Sequence, residues 1–169
     1  VFNLETGKAG FSDTQGALKQ TGLKTDISIV SQGYFYVQPT SANGEIALSR
    51  RGDLALNAEG FLINGADEKM LDVNLQPIKL PPFTDIKISN IGEISIEPFS
   101  GPPGQFVLSG TFGLTSALNE KLTKHADGQI RRFDGTLPDP DQRATIAQGM
   151  LEASNVDTVS ELVASLEAQ

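Results

Sequence analysis

The chain has 169 residues, enough for one domain with its own core or for one domain with appendages. Its formal net charge of -8 disfavours general nucleic-acid or anionic-membrane binding, since Arg50-Arg51 and Arg131-Arg132 are only short basic pairs. It has no cysteine, which excludes disulfides, a thiol nucleophile and a zinc-cysteine cluster, and no apolar run approaches the roughly 20 residues that span a bilayer.

Residues 1–25 are polar and Gly-marked without a sustained period, and read as an extended lead-in with room for one short strand. From Asp26 the pattern changes. Ile27, Ile29 and Val30, then Tyr34-Phe35-Tyr36-Val37-Gln38, are β-branched and aromatic clusters of the kind that form strands. Pro39 to Gly44 reads as a connecting turn, with Glu45-Ile46-Ala47-Leu48-Ser49 as the return strand of a hairpin. Leu54 and Leu56, the turn Asn57-Ala58-Glu59-Gly60, and Phe61-Leu62-Ile63 repeat that grammar.

Met70, Leu71 and Val73 precede Pro77-Ile78-Lys79-Leu80-Pro81, whose flanking prolines favour a sheet edge or a stop. Ile86 and Ile88 alternate with polar residues, as do Ile94 and Ile96, on either side of Asn90-Ile91-Gly92-Glu93, and predict another hairpin. Phe99 to Gln105 is a Pro/Gly-rich surface loop, after which Phe106-Val107-Leu108 starts a further strand. Between Asn119 and Phe133 two readings stay open, a short helix carrying Leu118 and Leu122 or strand entry at Gly128-Gln129-Ile130. Thr136 to Arg143 reads as a loop, followed by one strand from Ile146 to Leu151.

At the C-terminus Ser154 is a good N-cap, and Asp157 can reach back as the carboxylate of a capping box, beside the positive end of the helix dipole. Val156, Val159, Leu162, Val163 and Leu166 then fall on one face of a helix. No Gly, Asn or Pro stops the helix before Gln169, and the first residue is Val1, so we expect a middle portion of a longer protein. The stripe can fold back on the β domain or serve assembly; the spacing of Val156, Val159, Val163 and Leu166 is that of a coiled-coil seam and favours assembly.

Candidate chemistry is sparse. His125 is the single histidine, so a multi-histidine metal site cannot form, and its setting reads as an exposed turn. Asp139 and Asp141 lack the oxygen-rich loop of a calcium site and read as solvated loop acids. Gly101-Pro102-Pro103-Gly104 has neither a P-loop lysine nor dinucleotide spacing, and is a turn. Tyr34 and Tyr36 share one strand face and offer either a stacking platform for sugars or, more simply, core packing. We therefore assign no catalytic residue, cofactor site or metal site. The expected fold is mainly β: a compact antiparallel domain of short hairpins, with residues 1–25 as lead-in, 26–153 as the β domain and 154–169 as the start of a C-terminal α-helix.

Four segments taken together resemble the bacterial flagellar rod and hook family. They are Gln32-Gly33-Tyr34-Phe35-Tyr36-Val37-Gln38, the stretch from Ser49-Arg50-Arg51-Gly52-Asp53 to Gly60-Phe61-Leu62, Gln76-Pro77-Ile78-Lys79-Leu80-Pro81, and Leu151-Glu152-Ala153-Ser154-Asn155-Val156. In physical terms Gly52 and Gly60 sit where hairpin connections need permissive backbone, and Arg50 or Arg51 can reach from a strand end to a nearby acid. The resemblance implies a structural, non-enzymatic subunit whose β-rich outer domain lies between terminal helices that pair in an inner tube. It also implies export by the flagellar type III apparatus, a place in the rod that crosses the periplasm, and other rod and hook subunits as partners, with self-association through the terminal helices. Neither nucleic acid nor membrane insertion is implied.

Chain length favours the rod over the hook, and Ser109 to Phe133 looks closer to the proximal than to the distal rod. The Ser-Arg-Arg-Gly-Asp segment is a looser form of the family's Thr-Arg-x-Gly-x pattern, and the family's Ala-Asn-rich N-terminal helical motif is absent. A distal-rod or hook-type protein is the alternative within the family. A secreted carbohydrate-binding β module is the alternative outside it.

Overall fold

The structure is a computed structural model and describes residues 16–40 and 44–153. Strand β3 (Tyr34–Gln38) organises it. The strand pairs antiparallel with β4 (Ala47–Ser49), β7 (Lys69–Met70) and β11 (Leu114–Thr115), and both of its faces are covered. Alternation sends Phe35 and Val37 into a large core and Tyr34 and Tyr36 into a second, smaller cluster with Leu48, Leu71 and Ala117. Its first four residues, Tyr34 to Val37, are aromatic or β-branched because neither face meets water there, and only Gln38 at its end is partly exposed.

The same sheet extends through β13 (Ile130–Arg132) to β12 (Leu122–Lys124) on one side and through β6 (Leu62–Ile63) to β5 (Ala55–Leu56) on the other. The segment left open between helix and strand is thus a hairpin: Leu122, Thr123 and Lys124 face Arg132, Arg131 and Ile130. Arg131 is buried and pins this hairpin in place. Its guanidinium donates to the carbonyls of Ile46 and Glu45 and to the Asp127 carboxylate at 3.0 Å, so no donor edge of the buried cation is wasted.

The predicted isoleucine hairpin is β8 (Phe83–Ile88) with β9 (Glu93–Pro98), continued by β10 (Val107–Thr111) into a three-stranded meander. Ile86, Ile88, Ile94 and Ile96 all join the large core, and Phe112 meets Phe35 edge to face with ring centroids 5.7 Å apart. The Pro77–Pro81 segment makes only single bridges, Leu71 to Pro77 and Phe61 to Lys79, with Ile78 buried between them and Leu80 buried just after the second. Its prolines flank the residues whose amides are needed, as their missing N–H groups require.

One expected strand is divided. Residues 146–151 do not form a single strand; Gly149, at φ 85°, turns the chain between β14 (Ile146–Gln148) and β15 (Met150–Glu152). β14 pairs with β2 (Ile27–Ile29), whereas β15 pairs with β1 (Leu18–Gln20). An L residue is strained at that φ, and glycine is not.

Gly52 also has a different role from the one its position suggested. It does not make a hairpin turn; it lets the 49–54 segment lie directly against β2, where a Cβ would come within 2.0 Å of the Ile27 carbonyl oxygen. Among the described residues there is no helix, and none long and apolar enough to cross a membrane. Ser154, Val156, Asp157, Val159, Leu162, Val163 and Leu166 lie outside the described residues.

Candidate assembly site

The chain enters and leaves the β domain side by side. Leu18 faces Glu152, Lys19 faces Leu151 and Gln20 faces Met150, and the Ala153 amide closes the ladder on the Ala17 carbonyl at 2.8 Å. At the base of this two-stranded stem the Gly149 carbonyl accepts the amides of Thr21 and Gly22, while the Gly149 amide donates to Asp26 at 2.7 Å. All three residues of β1 are exposed, so burial of β1 side chains does little to hold the stem. Polar anchors must do that.

Glu152 is the first anchor. One carboxylate oxygen accepts the amide of Gly16 and the other accepts Arg50 Nε at 2.8 Å, with side-chain exposures of 8% for Glu152 and 14% for Arg50. Arg50 in turn donates through Nη1 to the Gly33 carbonyl at 2.8 Å, and its guanidinium carbon lies 5.7 Å from the centre of the Tyr34 ring. A single guanidinium therefore joins three of the four segments singled out from the sequence. An isolated buried charge would be expensive, whereas this pair is matched in charge and carries directed hydrogen bonds on both partners.

Gln148 is the second anchor, on the meander side. Its side-chain amide donates to the carbonyls of Lys24 and Ile86, and its oxygen accepts the Ile88 amide at 3.2 Å. Lys24 adds a surface ion pair to Asp85 at 2.8 Å. Between them Gln148 and Glu152 clasp the outgoing chain to opposite parts of the domain.

The other residues weighed for chemistry are structural. Tyr36 is wholly buried, with its hydroxyl donating to the Pro138 carbonyl, and burial pushes its pKa well above the ordinary phenol value. Tyr34 is buried under Arg50, so neither ring offers a free face to a sugar. His125 is half-buried at its turn, with Nε2 2.6 Å from the Arg132 carbonyl. Asp141 is not a loose loop acid: it accepts the Ser116 amide and hydroxyl and the Arg143 amide. Burial disfavours its charge, but these bonds outweigh burial and hold its carboxyl below the usual carboxylate range. Asp53 is likewise lowered, because bonds from Arg51 and the Gly65 amide outweigh burial. Among the described residues no three His, Asp or Glu side chains gather as a metal site.

Sequence reasoning foresaw that Arg50 or Arg51 would reach an acid; the structure pairs Arg50 with Glu152 and Arg51 with Asp53. It missed Gln148 and Glu152 as anchors. Glu152 could have been suspected as a lone acid inside a quoted segment, but nothing in its spacing points to Arg50.

Comparison with known proteins follows the same geometry. The family model described as "Flagellar basal body rod FlgEFG protein C-terminal" matches residues 147–169, from within β14 onward. Over 169 residues, 99% of this chain, it is 32% identical to the "Flagellar basal-body rod protein FlgF" of Caulobacter vibrioides. It is 30% identical over 179 aligned residues, again 99% of this chain, to the "Flagellar basal-body rod protein FlgG" of Agrobacterium fabrum, and the chain spans 64% of the length of each of these two relatives. A FlgF of Mesorhizobium japonicum is 25% identical over all of this chain and 67% of its own length. Over nearly its whole length the chain is thus similar to flagellar basal-body rod proteins, of which it spans just under two thirds.

Proposed function

We propose that this chain is the β-rich part of a structural subunit of the flagellar basal-body rod, with no enzymatic activity. The observation that carries the reading is the antiparallel stem, in which Leu18–Gln20 and Met150–Glu152 leave the domain together. Two flanking segments that start from such a stem begin beside each other, as paired terminal helices require. In this reading residues 1–25 lead in, 26–153 form the outer domain and 154–169 begin an assembly helix. Ser154 and Asp157 set the start of that helix, and Val156, Val159, Leu162, Val163 and Leu166 form its packing face. Several aliphatic side chains at about 1.5 to 3 kcal/mol each supply the drive, before ordering costs.

The partners are other rod and hook subunits, together with further copies bound through the terminal helices. The protein is exported by the flagellar type III apparatus and resides in the periplasm-spanning rod. The 32% identity to a FlgF across nearly the whole chain supports the proximal rod, and the FlgG of Agrobacterium fabrum at 30% keeps the distal rod as the second reading.

The test uses the full-length protein in flagellated cells. With Val159→Asp and Val163→Asp together, the protein is expected to be made and to be missing from purified basal bodies. Complete, motile flagella containing the double variant would sink the proposal.

A further inference from the structure

Two arginine–carboxylate pairs of this protein are closed alike. Arg51 holds Asp53 through Nε to one oxygen and Nη2 to the other, and Arg132 holds Glu120 by the same two nitrogens. This side-on fork matches the planar guanidinium to both carboxylate oxygens at once. Arg131, which is more deeply buried, spends all three nitrogens on Asp127 and two backbone carbonyls. Arg50 completes neither pattern. Its Nε meets Glu152 Oε1 and its Nη1 meets the Gly33 carbonyl, but its Nη2 is buried and makes no hydrogen bond among the described residues.

The oxygen that would complete the fork is engaged elsewhere: Glu152 Oε2 accepts the Gly16 amide. The two solvent-facing pairs are thus fully closed, while the better buried Arg50–Glu152 pair stays half closed. That is the reverse of what cost alone would select, since an unpaired donor is most expensive where water is excluded. Bringing Oε2 from Gly16 to Arg50 Nη2 needs only a turn about the last side-chain bond of Glu152, a torsion with a broad minimum. Release of the Gly16 amide therefore exchanges one bond to the carboxylate for another and satisfies the last donor edge of a buried cation.

The two strands of the stem are unequal in what such a release costs them. β1 is exposed along its length, and among the described residues no side-chain hydrogen bond or ion pair joins Leu18–Gln20 to the body. β15 carries Glu152 itself and follows closely on Gln148, whose side chain is bonded to Lys24, Ile86 and Ile88. We propose that Glu152 is a two-position clasp. With β1 seated, Oε2 holds the Gly16 amide; when the Gly16 end of β1 peels away, Oε2 closes on Arg50 Nη2 and keeps β15 fixed to the body. The incoming strand is then the releasable member of the stem and the outgoing strand the fixed one. This device lies within the β domain and stands or falls separately from the rod reading.

The test follows hydrogen exchange of the Gly16 amide by NMR in the full-length protein, with global stability measured in parallel by chemical denaturation. Arg50→Lys keeps a positive charge opposite Glu152 but has no second nitrogen to receive Oε2. Opening at Gly16 then gains nothing, and exchange there is expected to slow by about fivefold or more. A mere brace predicts the opposite, because loosening it speeds opening, so an unchanged or faster rate overturns the clasp. A second variant does not depend on how well lysine is accommodated. Lys19→Pro, in the middle of β1, denies that strand its ladder while leaving Arg50 and Glu152 intact. A crystal structure of the full-length variant is expected to show Glu152 on Arg50 through both Nε and Nη2, with β15 in place. Glu152 holding Arg50 through Nε alone, or not at all, overturns the proposal.

Discussion

Strand β3 and the stem are both antiparallel backbone ladders, held by opposite means. β3 is buried on both faces, and its neighbours are Phe112, Leu48, Met70 and Leu114. The stem strand β1 is exposed along its length and depends on Glu152, Arg50, Gln148 and the Gly149 carbonyl. Packing spreads a large free energy over many contacts, whereas a few polar anchors concentrate a small one at fixed points. The domain is thus a stable body with a stem whose direction is set by hydrogen bonds.

The comparison breaks most visibly in the body. Phe35→Ala removes a fully buried ring in edge contact with Phe112 and is expected to cost about 3–5 kcal/mol of global stability, read by chemical denaturation. A loss below about 1 kcal/mol would mean that β3 is not the centre of the core.

Next in size is Glu152→Ala, which leaves Arg50 buried without its carboxylate, a change worth about 3 kcal/mol when such a pair is severed. The loss should be local. Hydrogen exchange is expected to speed up at the Thr21 and Ala153 amides of the stem and to stay unchanged at Leu48 in the body. Equal acceleration at both sites would refute the separation of the two regions.

The smallest effect sharpens the comparison through pH. Asp141 has a lower pKa folded than unfolded, so the unfolded chain takes up its proton first as the medium is acidified. Its contribution is complete above the unfolded value of about 4 and is lost as pH falls through the folded value. Asp141→Asn is therefore expected to lower stability at pH 7 and to flatten the acid limb of the profile, as measured by thermal midpoints between pH 2 and 7. An unchanged acid limb would show that the bonds to Ser116 and Arg143 do not hold the carboxylate.

The body was the more legible region, for the same reason that it is the more stable. Alternation reports burial directly, so Tyr34–Gln38 and the Ile86/Ile88 and Ile94/Ile96 hairpin could be read from local pattern. The 119–133 hairpin was less clear because its strands are three residues each, and Leu118 and Leu122 also fit helical spacing. The division at Gly149 was hidden for another reason. β14 and β15 differ only in their partners, and partners more than 100 positions away leave no trace in local spacing. The pairing of Arg50 with Glu152 was invisible on the same grounds, although the quoted family segments contained both residues.

The adjacency of Ala17 and Ala153 has a consequence for how this domain could be exchanged. A domain whose two ends are hydrogen-bonded to each other has the geometry of an insertion, entered and left at one point. Loops of the body that carry none of Lys24, Asp26, Arg50, Ile86, Ile88 and Gln148 can change length without moving the flanking chain, because the anchors that hold the stem stay in place. Variation in length among relatives would then be absorbed inside the graft, above the Gly149 crossing, and leave the two strands below it unaltered.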